Sequence, residues 1–212
     1  MIKGVLFDFD GVVVQSEALH KETFLELLAP YGVSVSEERW YREFAGTGSR
    51  HIFETLVREN GIKADVGALV EQRKSIYEAR VRQGALKETP GVREFLSLLR
   101  KKGIKTAIVS GSHRSNVAAA LSVLHLGGLF DVIVSGDDLA ERKPSPAPFL
   151  HAAKLLGLKP QDCVAVEDSV SGCASAKAAG MRLVVVQSPA SKDLYGYDAI
   201  IDDFSEFPLG MF

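Results

Sequence analysis

Short apolar runs that alternate with helix-like stretches are the feature that most restricts how this chain can fold. Continuous apolar runs of this length are typical of buried parallel strands. The runs predicted as strands are 3–7, 104–109, 132–134, 163–166, 183–186 and the short edge strand 199–201. Helical spacing predicts helices at 92–101, 115–124, 147–156 and 172–179. This alternation predicts a Rossmann-like α/β fold with a mostly parallel sheet.

One long stretch, residues 15–85, interrupts the alternation because it contains no convincing strand. Apolar residues recur at helical spacing around Leu19 and Ile52, and a charged helix is predicted over 66–81. Within it, the polar run 71–74 predicts a solvated helix face. We therefore expect an inserted helical domain, with residues 1–14 and 86–212 forming the α/β core.

Composition excludes several classes of protein. The chain has 212 residues and a formal net charge of -2, so it has no overall basic field to attract nucleic acid. No apolar run approaches the length of a membrane span, and the first run reaches Asp8 too early for a signal peptide. We expect a cytoplasmic protein, a monomer or weak homodimer. Cys163 and Cys173 are expected to be buried thiols without a disulfide framework.

Polar and charged residues follow four of the predicted strands. They are Asp8, Asp10, Ser110, Gly111, Ser112, Lys143, Glu167 and Asp168. In an open parallel sheet, ligands bind beyond the carboxyl ends of the strands. These residues are therefore predicted to meet at one edge of the sheet, although they come from four separate segments of the chain.

The chemistry of this set suits a phosphate ester. Clustered carboxylates need a compensating cation, and hard carboxylate oxygens suit Mg²⁺. Lys143 adds a second positive charge, and Ser110 with the free N–H groups at the start of a helix forms a phosphate cradle. Asp8 can then act as a nucleophile. Asp10 can protonate the leaving oxygen and later accept a proton from water.

Four sequence segments carry a resemblance to a known family. They are DFDGVV from residue 8, AIVSG from residue 107, KPSP from residue 143 and VEDS from residue 166. In order and at strand ends, they are similar to the four motifs of the haloacid dehalogenase superfamily of aspartate-nucleophile phosphotransferases. The insertion resembles the helical cap of the branch that contains β-phosphoglucomutase and many small sugar-phosphate phosphatases.

The resemblance implies a role for each matching residue. Asp8 would be the nucleophile and Asp10 the general acid and base. Mg²⁺ would be held by the Asp8 side chain, the Asp10 backbone carbonyl and Asp168, with Glu167 acting through water or as a further ligand. The residues implied to bind the phosphoryl group are Ser110, Gly111 and Lys143. An aspartate at position 10 favours phosphate-ester chemistry, because dehalogenases of the superfamily lack it.

Candidate substrate contacts lie in the inserted domain. Residues 45–50 resemble the substrate-specificity loop of the cap, which makes Gly46 and Arg50 candidates. The mutase carries a lysine where this chain has Ala45, and the loop is one residue longer before Arg50. Both departures favour a hydrolase of small phosphorylated metabolites. His20 matches a hinge histidine of the mutase branch, so a phosphosugar mutase stays open as the alternative.

Two other classes of protein share some of these features. A phospho-signalling receiver also has an acidic cluster and a lysine at strand ends, but the inserted helical domain argues against it. A non-catalytic binding protein would be expected to have lost Asp8 or Asp10, and the chain has both. The sequence thus favours an enzyme.

Overall fold

The computed structural model describes residues 1–45, 47–189, 194 and 196–212. Its strands form one parallel sheet in the order β3-β2-β1-β4-β5-β6. The strands are β1 Gly4–Phe7, β2 Lys105–Val109, β3 Val132–Val134, β4 Cys163–Glu167, β5 Arg182–Val186 and β6 Ala199–Ile201. The predicted α/β class with a parallel sheet is confirmed, and the strand ends lie within one residue of the predicted ones.

Helices cover both faces of the sheet. They are α5 Val92–Lys101, α6 Arg114–Val123, α7 Ala147–Leu156 and α8 Val170–Ala178. Successive side chains of a strand point to opposite faces. Accordingly Phe7 belongs to the apolar cluster under α5 and α6, and Leu6 to the cluster under α7 and α8. Helix α8 begins two residues earlier than predicted because the Ser169 hydroxyl caps it, accepting a hydrogen bond from the N–H of Gly172 (3.1 Å).

A helical segment follows β1 and spans residues 17–82. It contains α1 Glu17–Leu28, α2 Glu37–Arg39, a π-helical turn at Trp40–Phe44, α3 Ser49–Glu59 and α4 Val66–Arg82. The segment has its own apolar cluster, in which the Phe24 ring contacts Trp40 (5.5 Å between centroids) and Phe53 (4.7 Å). The end of α4 does not belong to this cluster. Its residues Tyr77 and Val81 pack instead in the cluster under α5 and α6.

The chain enters and leaves the helical segment through two short stretches of backbone that are hydrogen-bonded to each other. The N–H of Gln15 donates to the carbonyl of Lys87 (2.9 Å), and the N–H of Thr89 donates to the carbonyl of Val13 (3.0 Å). Val14 lies between these bonds as an isolated bridge. The start of α1 is thereby held close to the end of β1, where Asp10 lies.

The apolar C-terminal segment packs on the chain's own sheet domain. Phe204, Phe207 and Phe212 surround Phe95 of α5, with ring centroids 5.4, 4.4 and 6.3 Å away. Phe204 and Phe207 are buried. The segment therefore completes the apolar cluster on this face of the sheet.

Two expectations from composition concern the cysteines and the potential of the helices to span a membrane. Cys163 and Cys173 are both buried and free, as predicted. Among the helices in the described ranges, none combines the length and apolar character that a membrane span requires.

Candidate active site

The register of the sheet brings the predicted polar residues to one edge. Phe7, the last residue of β1, lies opposite Ile108 of β2 and Val166 of β4. The chain segments that leave these strands therefore start at the same level. These segments begin with Asp8, Ser110 and Asp168, and Glu167 is the last residue of β4. Carboxylate oxygens of Asp8, Glu167 and Asp168 lie within 4.8 Å of one another.

Lys143 is bound between two of these carboxylates. Its Nζ donates to Asp8 Oδ1 (2.5 Å), to Glu167 Oε1 (2.5 Å) and to the carbonyl of Val109 (2.8 Å), which uses all three of its N–H bonds. Burial alone would lower the pKa of Lys143, but Asp8 and Glu167 together raise it above its ordinary value. Lys143 is thus a buried, charged ammonium whose position is held by three hydrogen bonds.

Glu167 is fully buried, and both of its oxygens are occupied by donors. Oε1 accepts from Lys143, while Oε2 accepts from the N–H groups of Asp168 (3.1 Å) and Ser169 (3.3 Å) and from the Ser169 hydroxyl (3.0 Å). A side chain at Gly172 would overlap the Glu167 carboxylate, which accounts for glycine there. Glu167 is therefore a support for Lys143 and the loop before α8.

Among the described residues, Asp8 and Asp168 have fewer protein partners for their carboxylates than Glu167 has. Burial, Glu167 and Asp10 raise the pKa of Asp8, and Lys143 only partly offsets this. Burial, Asp8 and Glu167 likewise raise the pKa of Asp168 well above its ordinary value. Hard oxygen donors crowded in this way fit a divalent cation, which would keep both groups ionised.

The side chain of Asp10 lies outside this cluster and has its own set of donors. Oδ1 accepts from the Ser16 hydroxyl (2.6 Å) and from His20 Nε2 (3.0 Å), and Oδ2 accepts from the Ser112 hydroxyl (2.6 Å). Burial opposes ionisation, but the bonds from His20, Ser112 and Ser16 lower the pKa of Asp10 below its ordinary value. The second aspartate is thus placed apart from the first. The sequence predicted Ser112 at this edge without assigning it a role, and it did not indicate Ser16.

His20 links Asp10 to α4. Its Nδ1 is hydrogen-bonded to Arg73, its ring stacks on Tyr77 (4.6 Å between centroids), and Arg73 Nη1 donates to the Ser49 hydroxyl at the start of α3 (3.0 Å). The prediction of a solvated face at 71–74 is wrong for Arg73, which is only 6% exposed. Burial lowers its pKa to about 10.

A sequence signal for this burial exists in α4. Leu69, Arg73, Tyr77 and Val81 recur every fourth residue and are all buried. Residues four apart lie on one face of a helix. The apolar members of the stripe would have placed Arg73 on the buried side.

The remaining predicted residues have different surroundings. Ser110 is buried, its hydroxyl accepts from the N–H of Ser112 (3.0 Å), and Gly111 is exposed beside it in the loop before α6. The Arg50 side chain is 65% exposed and lies 3.9 Å from Glu54, one turn along α3. Gly46 lies outside the described residues.

The loop that carries Ser110 is fastened to the loop after β3. Asp137 accepts from the backbone N–H of Arg114 (2.8 Å) and from His113 Nδ1 (2.7 Å), so it caps the start of α6 from a distant segment. The Arg114 side chain bonds Asp138 (2.5 Å). These contacts hold the loop that carries Ser110 in place, and no sequence motif indicated them.

Comparison with known proteins agrees with this geometry. The family described as haloacid dehalogenase-like hydrolase matches residues 5–186. A putative phosphatase, YhcW of Bacillus subtilis, is 32% identical and covers 100% of this chain and 96% of its own length. A phosphorylated carbohydrates phosphatase of Thermotoga maritima is 33% identical, covering 86% of this chain and 84% of its own.

Solved structures with a similar fold include a protein that was crystallised with phosphate. CbbY from Rhodobacter sphaeroides, in complex with phosphate, has a TM-score of 0.85 at 29% identity and covers 98% of this chain and 97% of its own. A mutant of that protein was solved with xylulose-(1,5)bisphosphate. This chain belongs to the haloacid dehalogenase-like hydrolase family. Within that family it is a phosphoric monoester hydrolase.

Proposed function

We propose that this enzyme is a Mg²⁺-dependent phosphatase of small phosphorylated metabolites, sugar phosphates or similar compounds, and that it works through an aspartyl-phosphate on Asp8. One observation carries the proposal: Lys143 joins Asp8 to Glu167 beside Asp168, while Asp10 is held separately by Ser16, His20 and Ser112. A nucleophile and a group that transfers protons have different tasks, and here Asp8 and Asp10 have different hydrogen-bond partners.

In the first half of the reaction, an oxygen of Asp8 forms a bond to phosphorus and the bond to the ester oxygen breaks. The electron pair of that bond stays on the leaving oxygen, which takes a proton from Asp10 to depart as an alcohol. Lys143 reduces the repulsion between Asp8 and the approaching phosphoryl oxygens. Ser110 and the N–H of Gly111 are proposed to bind these oxygens.

In the second half, water attacks the phosphorus of the aspartyl-phosphate and transfers a proton to Asp10. The bond between phosphorus and the Asp8 oxygen breaks, which releases inorganic phosphate and restores the Asp8 carboxylate. Asp10 ends the cycle protonated, which is the form that the next ester requires and that the bonds from His20, Ser112 and Ser16 disfavour in the free protein. The same carboxyl group therefore acts once as an acid and once as a base.

Asp8, Asp168 and the backbone carbonyl of Asp10 are the proposed ligands of Mg²⁺, and Glu167 supports them. When bound, the ion would neutralise charge on the phosphoryl group and on the carboxylates. Glu167 is assigned the supporting place because its oxygens already accept from Lys143, Ser169 and the Asp168 N–H.

Residues 15–85 are proposed to form a cap over a catalytic core of residues 1–14 and 86–212. The separate apolar cluster of the helical segment and the adjacent chain crossings support this division. The loop with Gly46 and Arg50 would then contact the part of the substrate away from the phosphate. We also propose a cytoplasmic location and a monomer or weak homodimer. The names of the Thermotoga and CbbY relatives favour a sugar phosphate as substrate.

The test of the proposed function is phosphate release from a panel of phosphorylated metabolites with Mg²⁺, and with EDTA as the control. Release from a few small sugar esters, lost in EDTA, is the expected result. The panel includes β-glucose 1-phosphate, followed for glucose 6-phosphate, because the His20–Asp10 bond favours a phosphosugar mutase as the second candidate. Conversion to the 6-phosphate without phosphate release would establish the mutase.

Mg²⁺ is expected to stabilise the protein against heat. At a hundredfold excess over its dissociation constant, a ligand adds about 2.7 kcal/mol to the free energy of unfolding. The raised pKa values of Asp8 and Asp168 mean that the ion-free folded protein holds more protons than the unfolded chain, so its stability falls as pH rises above the ordinary carboxyl range. The increase in Tm caused by Mg²⁺ should therefore be larger at pH 8 than at pH 6.

The matched variants for this experiment are Asp168→Asn and Asp162→Asn. Asp162 lies at the other end of β4 and pairs with Lys3 at the surface. Calorimetry should show that Asp168→Asn loses most of the Mg²⁺-dependent increase and that Asp162→Asn keeps it. Equal responses of the two variants would contradict the proposed metal site.

Asp10→Asn is expected to slow both halves of the reaction. With an alkyl phosphate, kcat/KM should fall by about 100-fold or more, which is the usual contribution of a general acid. With p-nitrophenyl phosphate the leaving group needs no proton, so the first half should proceed and the phosphorylated enzyme should accumulate. Stopped-flow detection of nitrophenolate would then show a burst followed by a slow phase. A normal steady rate of product release would contradict the acid and base role.

A further inference from the structure

The two oxygens of the Asp10 carboxylate have different partners. Oδ1 is bound by Ser16 and His20, which both come from the stretch directly after β1. Oδ2 is bound by Ser112, which lies in the loop after β2. The carboxyl group is therefore held from two sides by segments that are far apart in the chain.

The contact with Arg73 fixes what His20 can do for Oδ1. A guanidinium group only donates hydrogen bonds, so His20 Nδ1 must accept from Arg73. The ring hydrogen then lies on Nε2 and is donated to Asp10 Oδ1. Arg73 is itself buried and hydrogen-bonded to Ser49, and Tyr77 stacks on the His20 ring. These contacts oppose a flip of the His20 ring. In this arrangement Oδ1 accepts a hydrogen bond from His20 Nε2.

The contact with Ser112 leaves Oδ2 free to change its role. A serine hydroxyl donates one hydrogen bond and accepts others. At 2.6 Å it can donate to an ionised Oδ2 or accept from a protonated one. A hydrogen on Oδ2 keeps the bonds at Oδ1 intact, whereas a hydrogen on Oδ1 would compete with the one from His20. The hydrogen of the acid form therefore belongs on Oδ2.

We propose that Asp10 exchanges its proton with the leaving group and with water through Oδ2, and that Ser112 is the positioning residue for this oxygen. The proposal rests on the proposed function of Asp10 as general acid and base. Ser112 is suited to the task because its N–H also donates to the Ser110 hydroxyl (3.0 Å). One residue thus ties the proton donor to the proposed phosphoryl-binding loop.

The proton balance follows from this assignment. In the first half, the hydrogen on Oδ2 turns from the Ser112 hydroxyl to the leaving oxygen. The O–H bond of Oδ2 breaks as the leaving oxygen gains this hydrogen, and Oδ2 becomes anionic. The Ser112 hydroxyl then reverses and donates to Oδ2. In the second half, Oδ2 takes a proton from the attacking water, and the hydroxyl returns to accepting. Ser112 itself gains and loses no proton.

The experiment compares Ser112→Ala, Ser112→Thr and the control Ser122→Ala, which removes an exposed hydroxyl from α6. With Mg²⁺, kcat/KM is measured for glycerol 2-phosphate, whose leaving group needs a proton, and for p-nitrophenyl phosphate, whose leaving group does not. Ser112→Ala should lose about 10- to 100-fold on the first ester and about threefold or less on the second. Ser112→Thr, which keeps the hydroxyl, should recover activity to within about threefold of the parent on both esters.

Inhibition by inorganic phosphate provides the second measurement and should be the same for Ser112→Ala and the parent. Equal losses on both esters, or weaker inhibition by phosphate, would overturn the proposal because Ser112 would then act on phosphate or on folding. A full rate on glycerol 2-phosphate would also overturn it. Failure of the proposed function looks different, since the parent enzyme would then release phosphate from neither ester.

Discussion

Asp8→Asn is expected to abolish phosphate release, with a loss of at least about a thousandfold in kcat, as is typical for removal of a catalytic nucleophile. An amide has no anionic oxygen to attack phosphorus. Its carbonyl oxygen can still accept the hydrogen bond from Lys143, so the site should keep its shape. Removing this carboxylate also removes the cost of burying its charge and the repulsion from Glu167 and Asp10, which together raise the pKa of Asp8. The variant should therefore fold at least as stably as the parent.

The measurement combines turnover with trapping of the intermediate. After brief reaction with a ³²P-labelled ester and an acid quench, the parent chain should retain label and Asp8→Asn should retain none. Asp162→Asn makes the same chemical change in a surface ion pair with Lys3 and should behave like the parent. A rate near that of the parent in Asp8→Asn would disprove the nucleophile assignment.

Lys143→Met is expected to reduce both activity and stability. Nζ is the group that neutralises Asp8 and Glu167 from within the site, and Glu167 is fully buried. Removing one partner of a buried ion pair leaves an uncompensated charge and typically costs about 3–5 kcal/mol. We expect kcat to fall by about 100- to 1,000-fold, as when one preorganised donor to a developing charge is removed.

Urea unfolding and steady-state kinetics in Mg²⁺ test the two parts of this prediction. Lys143→Arg should not restore activity, because a planar guanidinium cannot direct donors to Asp8, Glu167 and the Val109 carbonyl as an ammonium does. Lys3→Met is the matched control, since Lys3 pairs with Asp162 while 61% exposed and such pairs contribute about 1 kcal/mol or less. A Lys143→Met variant as stable and active as the control would contradict the role of Lys143.

The placement of Asp8, Ser110 and Asp168 followed from the sequence because parallel strands deliver their next residues to one edge of the sheet. The register of β1 with β2 and β4 gives this convergence. Each of these residues follows its strand with no intervening loop, so knowledge of the strand ends was sufficient. Lys143 follows β3 at a greater distance and was placed by its motif.

Other features needed the folded chain. The sequence treated Arg73 as one member of a charged helix face, yet it is buried against His20. The spacing of the apolar residues in α4 indicates its burial, but the contact with His20 depends on how α4 crosses α1, which local periodicity does not encode. The π-helical turn at Trp40–Phe44 was not predicted either. Its two buried residues, Trp40 and Phe44, are four apart, which is a spacing that an α-helix would also show.

The sequence by itself determined the α/β class, the sheet-edge carboxylates and the family, because strand and helix periods and short motifs are local properties of the chain. Only the tertiary structure decided which donors hold each carboxylate. Ser112 is 102 residues from Asp10, and Lys143 is 135 residues from Asp8. A hydrogen bond requires a distance near 3 Å and a favourable direction, and those are set by packing between segments rather than by any pattern within one segment.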